Sequence, residues 1–176
     1  METLKEIAPS IKRITLVFNP QTAPYYPIFL RDFGGAAATL GAELSAMPVH
    51  DEAEIEAAVS AFAREPGGGL IAAPDPFINT RRALVIALAA RYRLPVIYGV
   101  RYFAKEGGLI SYGPDALDIV RRSASYVDRI LRGERPGELP VQAPAKYELM
   151  INLKTAKALG LTVPSSILVR ADEVIE

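Results

Sequence analysis

The sequence predicts an α/β protein, a Rossmann-like three-layer sandwich built on a mostly parallel sheet. Apolar runs rich in β-branched residues alternate with segments of helical spacing through the first two thirds of the chain. Helices of about ten to fifteen residues are predicted between these runs, which implies right-handed crossovers between parallel strands. The runs contain few charged residues, as expected for strands that helices cover on both faces.

Four strands and three helices are predicted before residue 100. The first helix ends at Gly41, a residue that readily adopts the left-handed conformation of a C-cap. Acidic residues crowd the first turn of the second helix, where they match the helix dipole, and Asn79 is a plausible N-cap for the third. The predicted strands are RITLVF (13–18), AELSAMPV (42–49), GGGLIAAP (67–74) and LPVIYG (94–99). The predicted helices cover 25–40, 51–65 and about 79–92.

The pattern changes beyond residue 100. The predicted order is a polar loop RYFAKEGG (101–108), a short strand LISYG (109–113), a long amphipathic helix (114–132), a proline-punctuated extended connection (133–148), a strand around YELMIN, a helix at about 153–159 and a last amphipathic piece, SSILVRADEVIE. Gly133 ends the long helix and Gly160 stops the short one. We therefore divide the chain into a Rossmann-like lobe, 1–113, and a tail, 114–176, which either belongs to the same structural unit or is exchanged with a partner.

Composition excludes several classes of function. The 20 Lys and Arg residues balance 20 Asp and Glu, so no broad cationic field favours nucleic acid or anionic lipid. There is no Cys, which removes disulfides, thiol catalysis and thiolate metal sites. The charged first residues, METLKEIAPSIKR, lack the apolar run of a secretory signal, so we expect that the chain as written is not exported. No apolar run approaches the roughly 20 residues of a membrane span.

Catalytic and cofactor-binding patterns are missing. The loop NPQTAPYYP after the first strand has no glycine, which excludes the G-x-G-x-x-G turn and the Walker phosphate loop. Asp75 resembles the acceptor position of a response regulator, but Asn19 and Thr22 stand where that chemistry needs carboxylates. No serine lies in a G-x-S-x-G elbow, and the lone His50 is best interpreted as a solvated loop residue. We expect a protein that is not an enzyme and that needs no cofactor or metal.

The carboxyl ends of the strands are the place to look for a ligand in an open parallel sheet. Asp75 follows an apolar strand there, with Phe77 and Asn79 close behind, and its carboxylate suits an ammonium group. Tyr98, Arg101 and Tyr112 belong to the same rim, which suits an amphipathic small molecule. The alternative is structural: Asp75 ends its strand before Pro76, and the tyrosines are half-buried with solvated hydroxyls.

Three blocks of the sequence resemble the ABC-transporter substrate-binding family, which has the type I periplasmic binding protein fold, and members of the tryptophan or aromatic-amino-acid type are the most similar. The blocks are LKEIAPSIKRITLVFNP, RLPVIYGVRYFAKEGGLISYGPD and LPVQAPAKYELMINLKTAKALGLTVPSSILVRADEVIE. The resemblance implies two lobes that capture a small solute, such as an amino acid, and deliver it to an ABC permease. It implies a periplasmic location. The chain corresponds to the carboxy-terminal half only.

The resemblance also implies where the solute would touch this lobe. By motif position, these contacts fall on the Asn19-Pro20 loop, on Asp75 and Asn79, and around Tyr98, Arg101 and Tyr112. With Phe77, taken from its place beside Asp75, they are the predicted ligand-binding residues. Residues from 114 onward are expected to pack partly against the other lobe. Two alternatives stay open: a stand-alone cytosolic α/β module, either a sensor or an enzyme of unrecognised type, and a truncated reading frame without retained function.

Association into a two-fold dimer is the last expectation. Half of a two-lobed fold leaves apolar surface uncovered, and exposed patches above a few hundred Å² are rare on monomers. The helix predicted at 114–132 is broadly apolar, and the tail helix adds further apolar residues. Gly34 and Gly35, followed by alanines, form a small-residue surface that suggests close approach by another helix, within the fold or across a dimer contact.

Overall fold

The computed structural model describes residues 1–176, the whole sequence. Seven strands form one sheet, in the order β2-β1-β3-β4-β5-β6-β7. The strands are β1 (Arg13–Phe18), β2 (Glu43–Pro48), β3 (Gly68–Ala72), β4 (Val96–Tyr98), β5 (Ile110–Pro114), β6 (Tyr147–Asn152) and β7 (Glu173–Ile175). The first five are parallel to one another, β6 is antiparallel to β5, and β7 is parallel to β6. This is the mostly parallel sheet that the sequence predicts.

Nine α-helices and one 3₁₀ turn connect the strands. They are α1 (Glu2–Ile7), α2 (Tyr26–Thr39), α3 (Glu52–Phe62), α4 (Pro76–Thr80), α5 (Arg82–Arg91), α6 (Arg101–Lys105), α7 (Ala116–Leu131), the turn Pro136–Glu138, α8 (Leu153–Leu159) and α9 (Ser165–Arg170). Gly41 and Gly160 follow α2 and α8 in the predicted left-handed conformation, with φ of +64° and +75°. None of these helices is both long enough and apolar enough to span a bilayer.

Helices cover both faces of the sheet because both side-chain sets of the central strands are apolar. Val17 of β1 belongs to a cluster with residues of α3, α4, α5 and α6 on one face. Ile14, on the opposite face of the same strand, packs in a second cluster with α1, α8 and α9. Leu16 and Phe18 continue that second face under Tyr26 of α2. The three layers confirm the predicted fold class.

Two local predictions are wrong. The single helix predicted from about 79 to 92 is two helices, α4 and α5. The first begins at Pro76, and its N-cap is Asp75, whose carboxylate accepts a hydrogen bond from the Phe77 N–H at 2.8 Å. Proline fits the first helical position because the missing N–H would have no partner there. The segment predicted as a polar loop, 101–108, contains α6, which buries Phe103 and Ala104. Five residues are too few for helical periodicity to show in the sequence.

The helix α7 and the connection after it form a hairpin that projects from the lobe, and we call residues 115–146 the α7 hairpin. No residue of α7 is buried. The helix and the connection contact each other through the Tyr126 hydroxyl, which donates to the Pro140 carbonyl at 2.5 Å, and through the Arg122 guanidinium, which donates to the Gln142 side chain at 2.9 Å. At its base, the Lys146 ammonium lies 2.8 Å from the Asp115 carboxylate.

The tail beyond the hairpin returns to the sheet. β6 pairs with β5 through five residue pairs, and β7 adds an edge strand. Leu149 and Ile151 of β6, Ala156 of α8 and Ile167 of α9 pack against the amino-terminal helix α1. Residues 147–176 therefore share the hydrophobic core of the lobe.

Candidate functional site

The order of the strands places a crevice at the carboxyl ends of β1 and β3. The connection from β1 leads to β2 on one side, while β3 lies on the other side of β1. Neighbouring loops that leave in opposite directions open a gap, and ligands of open α/β sheets bind in such gaps. Here the gap is bordered by the loop 19–25 after β1 and by Ala73–Asp75 after β3. We call these two loops and the exits of β4 and β5 the carboxyl-edge wall.

Asp75 holds the two loops together. One carboxylate oxygen, Oδ2, accepts from the Asn19 backbone N–H at 2.6 Å. The other, Oδ1, accepts from the Thr22 hydroxyl at 2.6 Å and from the Phe77 N–H at 2.8 Å. The residue is fully buried, with 0% of its surface exposed. Buried carboxylates require such hydrogen bonds, because an unpaired one is strongly destabilising, so this arrangement fixes the shape of the wall.

Further bonds tie in the neighbouring residues. The Asn19 side chain accepts from the Gln21 N–H at 2.8 Å, and its amide reaches the His50 carbonyl beyond β2 at 3.5 Å. The Tyr26 hydroxyl donates to the Pro74 carbonyl at 2.8 Å. Burial raises the pKa of Tyr26 well above its ordinary value, so its hydroxyl remains a donor.

Close packing at glycines completes the wall. A Cβ added at Gly99, after β4, would lie 2.2 Å from Cδ of Pro74, and one added at Gly113 in β5 would lie 2.0 Å from the carbonyl oxygen of Gly99. Neither distance is compatible with a side chain. The exits of β3, β4 and β5 are therefore in close contact, with no room for a side chain at either glycine.

The solvent side of the wall carries polar and aromatic groups. Gln21, Thr22 and Pro74 are exposed, and Tyr25 is 43% exposed. The Tyr25 ring packs against Tyr26, with 4.8 Å between ring centroids, and against Phe29 at 6.1 Å. This surface offers hydroxyl, amide and ring faces, which suits binding of a small amphipathic molecule. Sequence reasoning missed Thr22 and Tyr25, although both lie in the loop NPQTAPYYP that it singled out.

The structure brings together four of the seven predicted residues. Asn19 and Asp75 are in direct contact, and both are buried. Phe77 and Asn79 lie in α4 directly behind them. Phe77 is half-buried and supports the Arg81 guanidinium, 3.9 Å above its ring, while the side-chain oxygen of Asn79 is buried without a partner. All four shape the wall from behind.

Tyr98 and Tyr112 lie on opposite faces of the sheet, contrary to the expectation that they share one rim with Asp75. In the register of β4 and β5, Tyr98 is paired with Ser111, so the next residue, Tyr112, points the other way. Tyr98 is 1% exposed and stacks on Phe103 at 4.5 Å. Tyr112 is half-exposed and stacks on Tyr147 at 5.7 Å. Contact of either residue with a ligand stays a prediction.

Arg101 is engaged by the tail. Its guanidinium lies 3.4 Å from Glu148 of β6 and 3.2 Å from Glu173 of β7, and Lys105 shares Glu173 at 3.3 Å. These partly exposed ion pairs link α6 to the end of the chain. Arg101 therefore has two carboxylate partners within the lobe and is not directed at the crevice between β1 and β3.

No group of three or more His, Asp or Glu side chains is arranged to hold a metal ion. His50, at the exit of β2, is bonded to Glu54 at 2.8 Å. What the wall offers a small molecule is hydrogen bonding and aromatic contact.

Comparison with known proteins gives a family and a fold. A sequence model of the family described as ABC transporter substrate binding protein matches residues 1–175. A conserved domain protein from Vibrio cholerae O1 biovar El Tor is 30% identical, with a TM-score of 0.87 over 98% of this chain. No curated protein matches.

Two more distant structures share the fold. They are the ABC domain in complex with L-Trp from Streptococcus pneumoniae, with 23% identity and a TM-score of 0.89 over 99% of this chain, and a ligand-free, open substrate binding protein with adhesive properties from Clostridium difficile, with 21% identity and a TM-score of 0.71 over 99%. This chain spans 58% of the length of each of the three solved chains.

Proposed function

This chain belongs to the family of ABC transporter substrate binding proteins, and from that premise we propose that it binds a small organic solute as one lobe of a two-lobed protein. The observation that carries the proposal is the carboxyl-edge wall. Two loops meet at the strand-order switch, where α/β sheets bind ligands, and the buried carboxylate of Asp75 ties the loop after β3 to the loop after β1. A rigid wall with an exposed polar and aromatic surface is suited to one side of a cleft.

The solute class that we propose is an amino acid. The S. pneumoniae protein of the same fold is described in complex with L-Trp. On this chain, the exposed Tyr25 ring offers a flat apolar surface, and Gln21 and Thr22 add hydrogen-bonding groups beside it. An aromatic surface with adjacent polar groups is complementary to an apolar side chain attached to a charged backbone.

Residue roles follow from exposure. Thr22 and Tyr25 are proposed to reach the solute, because they are exposed on the wall. Asn19 and Asp75 are positioning residues, since their polar atoms are buried and engaged within the loops. Phe77 and Asn79 support the wall through α4.

The complete protein is proposed to release its solute to an ABC permease, and family membership implies a periplasmic location. We propose no catalytic step. A solute incubated with the protein is expected to be recovered chemically unchanged, which NMR spectroscopy of the free solute checks directly. Turnover of any ligand would contradict the assignment.

We also propose that the chain forms a two-fold homodimer through α7. The side chains at 117, 120, 124, 127 and 131 follow the alternating three- and four-residue spacing of a helix-to-helix seam. The large side chains of this seam are exposed and nothing in the chain covers them: Leu117 is 59% exposed, Val120 68%, Val127 55% and Leu131 81%. The other apolar side of α7, with Ile119 and Tyr126, faces the proline-rich connection of the hairpin. Light scattering behind a sizing column is expected to give twice the mass of one chain, and a single-chain mass at micromolar concentration would contradict the dimer.

Solute binding is tested by thermal unfolding and calorimetry with the twenty amino acids. We expect stabilisation by one subset of them and a loss of affinity of about tenfold or more in Tyr25→Ala, because an aromatic contact is removed. Tyr112→Ala is the matched control, since Tyr112 is equally exposed but lies outside the crevice. Equal losses in both variants, or no stabilisation by any amino acid, would contradict the proposed site.

A further inference from the structure

Arg81, directly after α4, carries a guanidinium that the lobe holds in place but pairs only in part. It lies 3.9 Å above the centre of the Phe77 ring. Nη1 donates to the Thr80 hydroxyl at 3.1 Å and to the Phe77 carbonyl at 3.4 Å. The side chain is 31% exposed, and Nη2, which donates to no group of the chain, is not among the buried unpaired atoms. Nη2 is therefore available to an anion from solution.

The order of the strands places this guanidinium beside the crevice. Glu52 begins α3 after β2, and Arg81 follows α4 after β3. Because β1 lies between β2 and β3, the contact between Glu52 and Arg81 crosses the carboxyl end of β1. The link to the wall is short, since one oxygen of Asp75 accepts from both the Thr22 hydroxyl and the Phe77 N–H, at 2.6 Å and 2.8 Å. Arg81 therefore borders the crevice on the side of α4, and Thr22 borders it on the side of β1.

The contact with Glu52 leaves room for a second carboxylate. Glu52 lies 3.4 Å from Nε of Arg81, yet Nε has no hydrogen-bond partner. The Glu52 side chain is 65% exposed, and solvent-exposed ion pairs contribute little. A guanidinium fixed over an aromatic ring loses little conformational freedom when it binds a ligand.

Charge identifies the part of the solute that Arg81 would bind. Loops 19–25 and 73–75 contain no Lys or Arg, and Arg101 is already held by two carboxylates. Guanidinium groups form short, charge-assisted hydrogen bonds with carboxylates. We propose that Arg81 binds the α-carboxylate of the solute through Nη2, a role that rests on the amino-acid solute proposed above. Tyr25 then contacts the solute side chain.

L-Tryptophan and tryptamine test this role, because they differ only in the α-carboxylate. In calorimetry, the wild type is expected to bind L-tryptophan about tenfold more tightly than tryptamine. Arg81→Gln is expected to abolish this preference and to leave the affinity for tryptamine unchanged. Arg82→Gln is the matched control, since Arg82 is the next residue and its guanidinium is paired with Glu106 at 2.8 Å. It should keep the preference, and a general loss of structure in either variant would weaken both ligands alike.

An equal preference for L-tryptophan in wild type and Arg81→Gln would overturn the role of Arg81 and leave the proposed function intact. A second titration decides the role of Arg81 even if neither ligand binds. Sodium benzoate at constant ionic strength is expected to shift the NMR signal of the Arg81 Nε–H and to leave that of Arg82 unchanged, while benzamide shifts neither. A benzoate shift without any amino-acid binding would support the carboxylate site and contradict the amino-acid solute. The absence of a benzoate shift at Arg81 would overturn the proposal.

Discussion

The α7 hairpin and the tail after it are neighbours in the chain, yet they relate to the lobe in opposite ways. The tail, 147–176, adds two strands to the sheet and places Leu149, Ile151 and Ile167 in the core. The hairpin, 115–146, leaves all of α7 without a buried residue. The comparison shows that an amphipathic pattern predicts a helix that needs a partner, while it does not say whether the partner lies in the same lobe.

The largest effect on stability is expected inside the lobe, at Asp75. In Asp75→Asn, either orientation of the new amide turns its nitrogen toward one backbone N–H, that of Asn19 or that of Phe77. One buried donor then has no acceptor, and we expect a loss of about 3 kcal/mol in the free energy of unfolding, measured in urea. The matched control is Asp51→Asn, the exposed N-cap of α3, where Asn is as good a cap as Asp.

Solute binding adds a second measurement on the same variant. A carboxylate that contacted an ammonium group directly would make Asp75→Asn weaken cationic solutes more than neutral ones. The structure favours a positioning role, because the buried carboxylate of Asp75 bonds the two loops to each other. A change in the position of these loops should affect every solute in the same way. We therefore expect equal losses of affinity for cationic and neutral solutes. A loss for cationic solutes alone would indicate that Asp75 contacts the solute directly.

Much of the fold was predictable from the sequence because it rests on local pattern. The strand positions, the left-handed Gly41 and Gly160, and the parallel order of β1 to β5 all follow from periodicity and turn chemistry. The arrangement of the carboxyl-edge wall was harder to predict from the sequence, since it depends on the register of the strands. Pairing of Tyr98 with Ser111 sends Tyr112 to the other face, and no property of either tyrosine indicates that pairing. Asp75 was recognised as important, but its burial results from contacts 53 to 56 residues away in the chain.

A smaller effect is expected from glycines that differ in their surroundings. An added Cβ at Gly113 would meet the Gly99 carbonyl oxygen at 2.0 Å, so Gly113→Ala forces the backbone of β5 to shift and is expected to cost about 2 kcal/mol. Gly34 has no atom within 4 Å of such a Cβ, so the close helix approach suggested by the sequence is absent within this chain. Gly34→Ala is expected to stabilise α2 by up to about 1 kcal/mol. Similar changes in the free energy of unfolding for Gly113→Ala and Gly34→Ala would mean that β4 and β5 are less closely packed at Gly99 and Gly113 than in this structure.

The ion pair between Asp115 and Lys146 at the base of the α7 hairpin should make the structure around Asp115 depend on pH. The Lys146 hydrogen bond, followed by the Asp118 N–H, lowers the pKa of Asp115 below its ordinary 3.8, and Asp115 in turn raises the pKa of Lys146 above 10.5. The contribution of Asp115 is thus present above its unfolded pKa and is lost as pH falls through the lowered value, while that of Lys146 is lost as pH rises through the raised one. Amide signals of Leu117 and Asp118, which donate to Asp115, should change on acidification with a midpoint below pH 3.8.

Replacement of Lys146 tests this assignment. Lys146→Met removes the hydrogen bond that lowers the pKa of Asp115 most, so the midpoint reported by the Leu117 and Asp118 amides should move to higher pH. An unchanged midpoint at Asp115 would show that Lys146 does not pair with Asp115 in solution.

The smallest effect on the lobe itself is expected from the bare seam of α7. Val127 is 55% exposed and does not pack in the core, so Val127→Lys should change the free energy of unfolding of dilute protein by no more than about 0.5 kcal/mol.

If α7 is the dimer seam, raising the protein concentration stabilises the wild type, because association favours the folded state by mass action. The variant should lose this dependence, since a lysine in the seam would have to be desolvated. Ser125→Lys, on the opposite side of the helix, should retain it, and unfolding midpoints independent of concentration in all three proteins would mean that α7 has no partner in a second copy of this chain.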